Sequence, residues 1–206
     1  MITYVLLALN VVVSLMGFQN RNFFEKYLFR PYNVAHNPKE WYRIFTHTFL
    51  HANLPHLMFN MIALYSFGLQ LEQYAFPHFF FGKAEYYFAI LYVGGIVMSS
   101  LTALERYKNT YAYASVGASG AVSALVFSFI LIFPKAGIGF IFIPVPIPAW
   151  IFGGLYMLYT WYMAKNGRDN IAHDAHLWGG LFGIVFTLII HPAFFQAFIH
   201  QVITHS

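Results

Sequence analysis

Six stretches of this chain run close to the length of a bilayer crossing with few charges in them, and this limits the fold more than any other feature. They fall at residues 1–18, 56–75, 86–104, 118–133, 148–164 and 175–191. A helix of about 20 apolar residues crosses a hydrocarbon core about 30 Å thick, because each residue advances the axis by about 1.5 Å. Composition agrees. The 206 residues are 59% hydrophobic and only 9% charged, whereas a soluble domain carries about a quarter charged residues. The expected fold class is an all-α membrane protein, a single polytopic domain over residues 1–206 built as a six-transmembrane-helix bundle. The first stretch lacks a basic start and a small-x-small cleavage site, so it reads as a retained helix rather than a signal peptide.

The segments between these stretches are polar or turn-forming. The longest, residues 19–55, mixes Arg21, Lys26, Arg30, Lys39 and Arg43 with Trp41 and Tyr42. That mixture suits a loop in the membrane interface, where aromatic rings and long cationic side chains both settle. Pro144, Pro146 and Pro148 suit a turn before the fifth helix. There is no cysteine, which excludes disulfides and thiolate chemistry. The net charge of +4 is scattered, without the basic run that tracks phosphates, so nucleic acid is not an expected partner. No cofactor is expected.

Six crossings carry a deduction of their own. Helices two, four and six begin on the same side of the membrane, since each pair of starts is separated by two crossings. The polar residues that stand out cluster at those starts: His47, His51, His56 and Asn60 at the second, Ser119 at the fourth, and His173, Asp174 and His176 at the sixth. Residues far apart in sequence are thereby expected at one depth on one face. A histidine near a helix end is often only an interfacial hydrogen-bonding group, but ionisable groups within spans are functional candidates by default.

The fourth stretch opens with Val116-Gly117-Ala118-Ser119-Gly120. Gly117 and Gly120 clear space for a substrate backbone to approach Ser119, and a helix start offers unpaired N–H groups suited to an oxyanion. The competing reading is that small residues at these spacings only let helices pack closely. In the sixth stretch, His176 precedes Gly179 and Gly183, a bare face on which another helix can dock. Docking through Gly120 and Ala124 would bring Ser119 and His176 to similar height, where a neutral imidazole can take a hydroxyl proton. Asp174 diverges from His176 on a helix and reads as an N-cap. His56 and Asn60, four residues apart, share a face of helix two. They are candidates for oxyanion stabilisation, or else for interhelical contacts.

Taken together, Gly117-Ala118-Ser119-Gly120, His56-x-x-x-Asn60, Ala175-His176 with Gly179 and Gly183, and Arg43 ahead of His47 and His51 resemble the rhomboid intramembrane proteases over nearly the whole chain. The resemblance implies a rhomboid-like bundle and a serine endopeptidase that cleaves transmembrane protein substrates within the lipid bilayer. It implies Ser119 as nucleophile, His176 as general base, and His56 and Asn60 as oxyanion stabilisers, without metal. It also implies an Arg43 loop partly in the membrane, a cap formed by the loop before His176, and residence in a bacterial cytoplasmic membrane with the site opening to the extracytoplasmic side. Three departures stand out. Ser123 occupies the position, four residues after the nucleophile, where many members carry a Tyr beneath the histidine, so His176 needs support from Trp178 or another neighbour. Tyr42 rather than Trp precedes Arg43. No additional soluble domain is expected, nor regulation through one.

One signal opposes that orientation. It puts Arg21, Lys26, Arg30, Lys39, Arg43, Arg106, Lys108, Lys165 and Arg168 outside and only Lys83 and Lys135 inside, the reverse of the positive-inside rule. Two rival functions compete with the protease. One is a non-catalytic relative that binds transmembrane helices, although relatives of that kind typically lose the Ser or the His. The other is a metal or haem protein built on His47, His51, His56 and His173, although no His-Glu-x-x-His pattern occurs.

Overall fold

The computed structural model describes residues 1–140, 143–167 and 171–204; Arg168 lies outside them. The chain is mostly helical. Helix α1 (Ile2–Gln19) leads into the long loop, which carries the short helices α2 (Arg21–Tyr27), α3 (Pro31–His36) and α4 (Arg43–Thr46). Helix α5 (Leu54–Leu69) starts on Pro55 and the cap Asn53, whose carboxamide oxygen accepts the His56 N–H at 2.9 Å. A π-helical turn, Gln70–Ala75, and α6 (Phe76–Phe79) follow. Then come α7 (Ala84–Tyr107), α8 (Ser119–Ile132), α9 (Ala149–Asn166), α10 (His173–Ile190) and α11 (Ala193–Ile203).

Among the described residues, three helices are long and apolar enough to cross a membrane: α1, α7 and α10. The other three expected spans are helical, but each departs from a simple span for its own reason. Helix α5 gives way to the π turn after 16 residues. Helix α8 has only 14 residues, about 21 Å at 1.5 Å each. Helix α9 has 18, but Tyr, Trp, Lys165 and Asn166 dilute its apolar content. The all-α expectation also needs correction. Gly137–Phe140 (β1) and Ile143–Pro148 (β2) form an antiparallel hairpin, with Gly137 opposite Pro148 and Ile138 opposite Ile147. Proline at every second residue made this segment look like a turn, yet period two leaves all the missing N–H groups on one edge of a strand.

The short helix α8 is the centre of the molecule. Every residue from Gly120 to Ile132 is buried, because α8 packs against α10, α7, α5 and, more lightly, α9. Protein rather than lipid surrounds it. A helix about 21 Å long inside a layer about 30 Å thick must start or end below the surface. Helix α1 docks on α5 through small and polar groups. Gly68 lies against Thr3, and the buried Glu72 carboxylate accepts the Ile2 N–H and, at 2.9 Å, the Thr3 N–H. It caps two of the donors that the start of α1 leaves open.

Candidate active site

The α8–α10 contact sets the site. A side chain at Gly179 would put its Cβ 2.1 Å from the Gly120 carbonyl oxygen, and one at Gly183 would stand 2.3 Å from the Ala124 carbonyl oxygen. Both are closer than real Cβ atoms approach anything, so the helices touch backbone to backbone. These are the four positions expected from sequence. On α7, Gly95 and Ser99 extend the same close packing, with Ser99 Oγ 2.3 Å from where a Gly120 Cβ would sit.

Ser119 is the first residue of α8, half-buried, with its backbone N–H among the open donors of the helix start. Ahead of it, Gly117 has φ +119°, and a Cβ there would lie 2.8 Å from His56 Cε1 and 2.9 Å from Nε2. Glycine is therefore required twice over, by conformation and by the His56 ring. His176 lies in the first turn of α10. His56, Asn60, Ser119, Ser123, Tyr156 and His176 all line one cavity of about 2220 Å³, which runs between α5 and α9 with α8 as its floor. Starts of α5, α8 and α10 thus meet. Ser119 and His176 share this wall without a hydrogen bond between them, as catalytic pairs often do before substrate tightens them.

His56 Nδ1 accepts the Ala52 N–H at 3.4 Å, which leaves the proton of the neutral ring on Nε2. That edge faces Gly117. Asn60 is buried and donates one amide hydrogen to the His56 carbonyl at 3.0 Å, so one N–H remains. Behind Ser119 a second void of about 20 Å³ is lined by His47, Ser99 and Ser115 among others, enough for about one water.

Arg43 does not reach the cavity. It is buried in the loop, where it donates to the Glu25 carbonyl at 2.9 Å and the Leu28 carbonyl at 2.7 Å and pairs with Glu40. The loop in turn holds the segment before Ser119. The His47 carbonyl accepts the Gly117 N–H at 3.0 Å, and Phe29 and Ser115 exchange two backbone hydrogen bonds at 3.0 Å. Burial pushes the His47 imidazole down to about 4, so it stays neutral, with Nδ1 2.8 Å from the Arg43 carbonyl. His51 is pushed down to about 3 by burial and the neighbouring His56, and its Nδ1 lies 2.8 Å from Ser14 Oγ.

Two expectations need correction. Ala172, not Asp174, is the N-cap of α10. The helix starts two residues earlier than the capping pattern suggested, which places Asp174 in its first turn, with Oδ1 accepting the Ala175 N–H at 3.1 Å and Oδ2 3.8 Å from Arg106. Trp178 does not support His176; it is 41% exposed on the outer face of α10. The neighbour is Tyr156 of α9, whose Oη lies 3.1 Å from His176 Nδ1. Sequence reasoning missed it, because nothing in the spacing of α9 singles out one Tyr among six aromatics. Among the described residues no group of three His, Asp or Glu side chains is placed to hold a metal ion.

Known proteins resemble this chain in sequence. YdcA of Bacillus subtilis (strain 168), named provisionally as a rhomboid protease, is 32% identical over 110 residues, 52% of this chain and 50% of its own length. Rhomboid protein 1, mitochondrial, of Saccharomyces cerevisiae (strain ATCC 204508 / S288c) is 29% identical over 150 residues, 70% of this chain and 40% of its own. Rhomboid-like protein 11, chloroplastic, of Arabidopsis thaliana is 34% identical over 122 residues, 59% and 38%. The chain therefore spans about half or less of the length of the curated relatives it matches. The Rhomboid domain itself matches residues 38–193, from the loop after α1 to the first residue of α11, and the chain belongs to the rhomboid family of membrane proteins.

Proposed function

We propose that the chain is an intramembrane serine endopeptidase that cleaves transmembrane segments, with Ser119 as nucleophile and His176 as general base. The observation that carries this reading is the backbone contact of Gly120 with Gly179, which sets Ser119 and His176 on one wall of the α5–α9 cavity. His176 takes the Ser119 hydroxyl proton as Oγ attacks a peptide carbonyl carbon, and returns it to the leaving amine. The resulting acyl-enzyme is hydrolysed by water activated by the same imidazole. The oxyanion is held by the Ser119 backbone N–H, His56 Nε2–H and the free Asn60 amide hydrogen, donors fixed before the reaction begins. The void behind Ser119 offers a place for the water that hydrolysis needs.

Six helices cross the bilayer in this reading, and α8 does so inside the bundle. A substrate segment enters between α5 and α9, unwinds locally, and presents a peptide carbonyl to Ser119. We place the chain in a bacterial cytoplasmic membrane, with the mouth of the site on the extracytoplasmic side. Replacing Ser119 by alanine should cut cleavage of a tagged transmembrane substrate by at least about 10³-fold and abolish fluorophosphonate labelling, while unfolding in SDS stays unchanged. Cleavage by the variant at the wild-type rate would sink the assignment.

A further inference from the structure

We propose that Tyr156 is a positioning residue for His176: its hydroxyl accepts the Nδ1–H of His176, and Ser123 holds that hydroxyl from the other side. The inference rests on reading Ser119 and His176 as nucleophile and base. A neutral imidazole carries its proton on one nitrogen and is basic only at the other. With Nδ1–H donating to Tyr156 Oη across 3.1 Å, Nε2 is bare and available to Ser119. The opposite tautomer carries a hydrogen on Nε2 and cannot act as the base there.

A phenol both donates and accepts, so its second partner decides the sense of this bond. On the facing helix α8, the Ser123 side chain stands near enough to the Tyr156 hydroxyl to serve as its second partner. Donation of its O–H to Ser123 Oγ leaves the oxygen lone pairs for Nδ1–H. Ser123 is buried and stands four residues after Ser119, hence on the same face of α8 as the nucleophile. Tyr156, Ser123 and His176 therefore link α9, α8 and α10 one helical turn from Ser119.

The hydroxyl is held by packing as well. The Tyr156 ring stacks on Phe127, at 5.9 Å between centroids and 13° between planes, and on Phe152, at 5.6 Å and 10°. Asp174, the carboxylate two residues before His176, is turned instead toward Arg106 and the Ala175 N–H. The task of orienting the base thus falls to a neutral hydroxyl.

Tyr156→Phe keeps both ring stacks and removes only the oxygen; Ser123→Ala removes the other end of the relay. Both are compared with wild type and Ser119→Ala, purified in detergent, on a fluorogenic transmembrane peptide. Tyr156→Phe should lower kcat about tenfold, equivalent to about 1.4 kcal/mol of barrier, with KM unchanged within about twofold. Ser123→Ala should lower kcat about threefold with the same unchanged KM, and the double variant should be no worse than Tyr156→Phe, since both act through one path. Wild-type kcat in either single variant, or a rise in KM alone, overturns the positioning role while cleavage by wild type and not by Ser119→Ala leaves the protease reading standing. Should Tyr156→Phe fail to fold in the SDS unfolding assay, Ser123→Ala decides alone. A wild-type protein inert toward both peptide and fluorophosphonate overturns both.

Discussion

The two sides of α8 are built on opposite rules. Toward α10 and α7 it touches backbone to backbone through Gly95, Gly120, Ala124, Gly179 and Gly183, leaving no room for a single added methyl group. Toward α5 and α9 it faces a cavity of about 2220 Å³ lined by hydroxyls, an amide and imidazoles. In a membrane, where apolar side chains gain little by leaving lipid for protein, close van der Waals packing is what holds helices together. The closed side therefore carries the stability and fixes the spacing of Ser119 and His176. In the protease reading, the open side carries the chemistry.

Breaking the closed side should have the largest effect. Gly183→Val places its Cβ against the Ala124 carbonyl, and Gly179→Val against that of Gly120; α8 cannot simply retreat, because it also packs against α7 and α5. Each substitution should cost at least the 1–3 kcal/mol typical of overpacking, to which the about 2 Å approach of backbone oxygens adds. The expected result is loss of the cooperative SDS unfolding transition together with all fluorophosphonate labelling. A folded, labelled Gly183→Val protein would show that α8 and α10 are not held by this contact.

The closed side was also the more legible in sequence. Gly-x-x-x-Gly on α10 and Gly120 with Ala124 on α8 offer a docking pair through spacing, although the sequence equally allows Gly120 to clear space for a substrate; its close contacts with Ser99 and Gly179 show the packing use. The parity of six expected crossings pointed to the helix starts that line one cavity, although among the described residues only three helices are both long and apolar enough to cross a membrane. Tyr156 was not legible. Its role depends on a rotation of α9 that no period reveals, and on a vacancy at Ser123 that was visible only as an absence. The hairpin 137–148 was missed because proline's local stiffness hides the period-two pattern. Arg43 could be recognised as important but not assigned, since its partners are backbone carbonyls of Glu25 and Leu28, which leave no trace in side-chain identity.

An intermediate effect is expected where the open side comes closest to being packed. Gly117 has φ +119° and lies under the His56 ring. Gly117→Ala therefore incurs about 1–2 kcal/mol of backbone strain and pushes His56 away from the oxyanion position. Activity on the transmembrane peptide should fall by about 10²-fold, in the range of losing one oxyanion donor, while the SDS unfolding transition remains cooperative. Unchanged activity in a folded Gly117→Ala protein would remove His56 from the site.

The smallest effect should come from the cavity wall farthest from any packing. Phe59 of α5 is 67% exposed and lines the cavity. If the open side admits substrate between α5 and α9, trimming Phe59 to alanine changes only what the substrate meets on the way in. Stability should move by less than about 0.5 kcal/mol. The kcat/KM for a peptide with a bulky residue near the cut should rise by about threefold, the scale of a single side-chain contact near 0.6 kcal/mol, and that for a small residue should stay level. A loss of stability instead, with no dependence on substrate size, would mean that Phe59 packs the bundle and that the two sides of α8 differ less in kind than their geometry indicates.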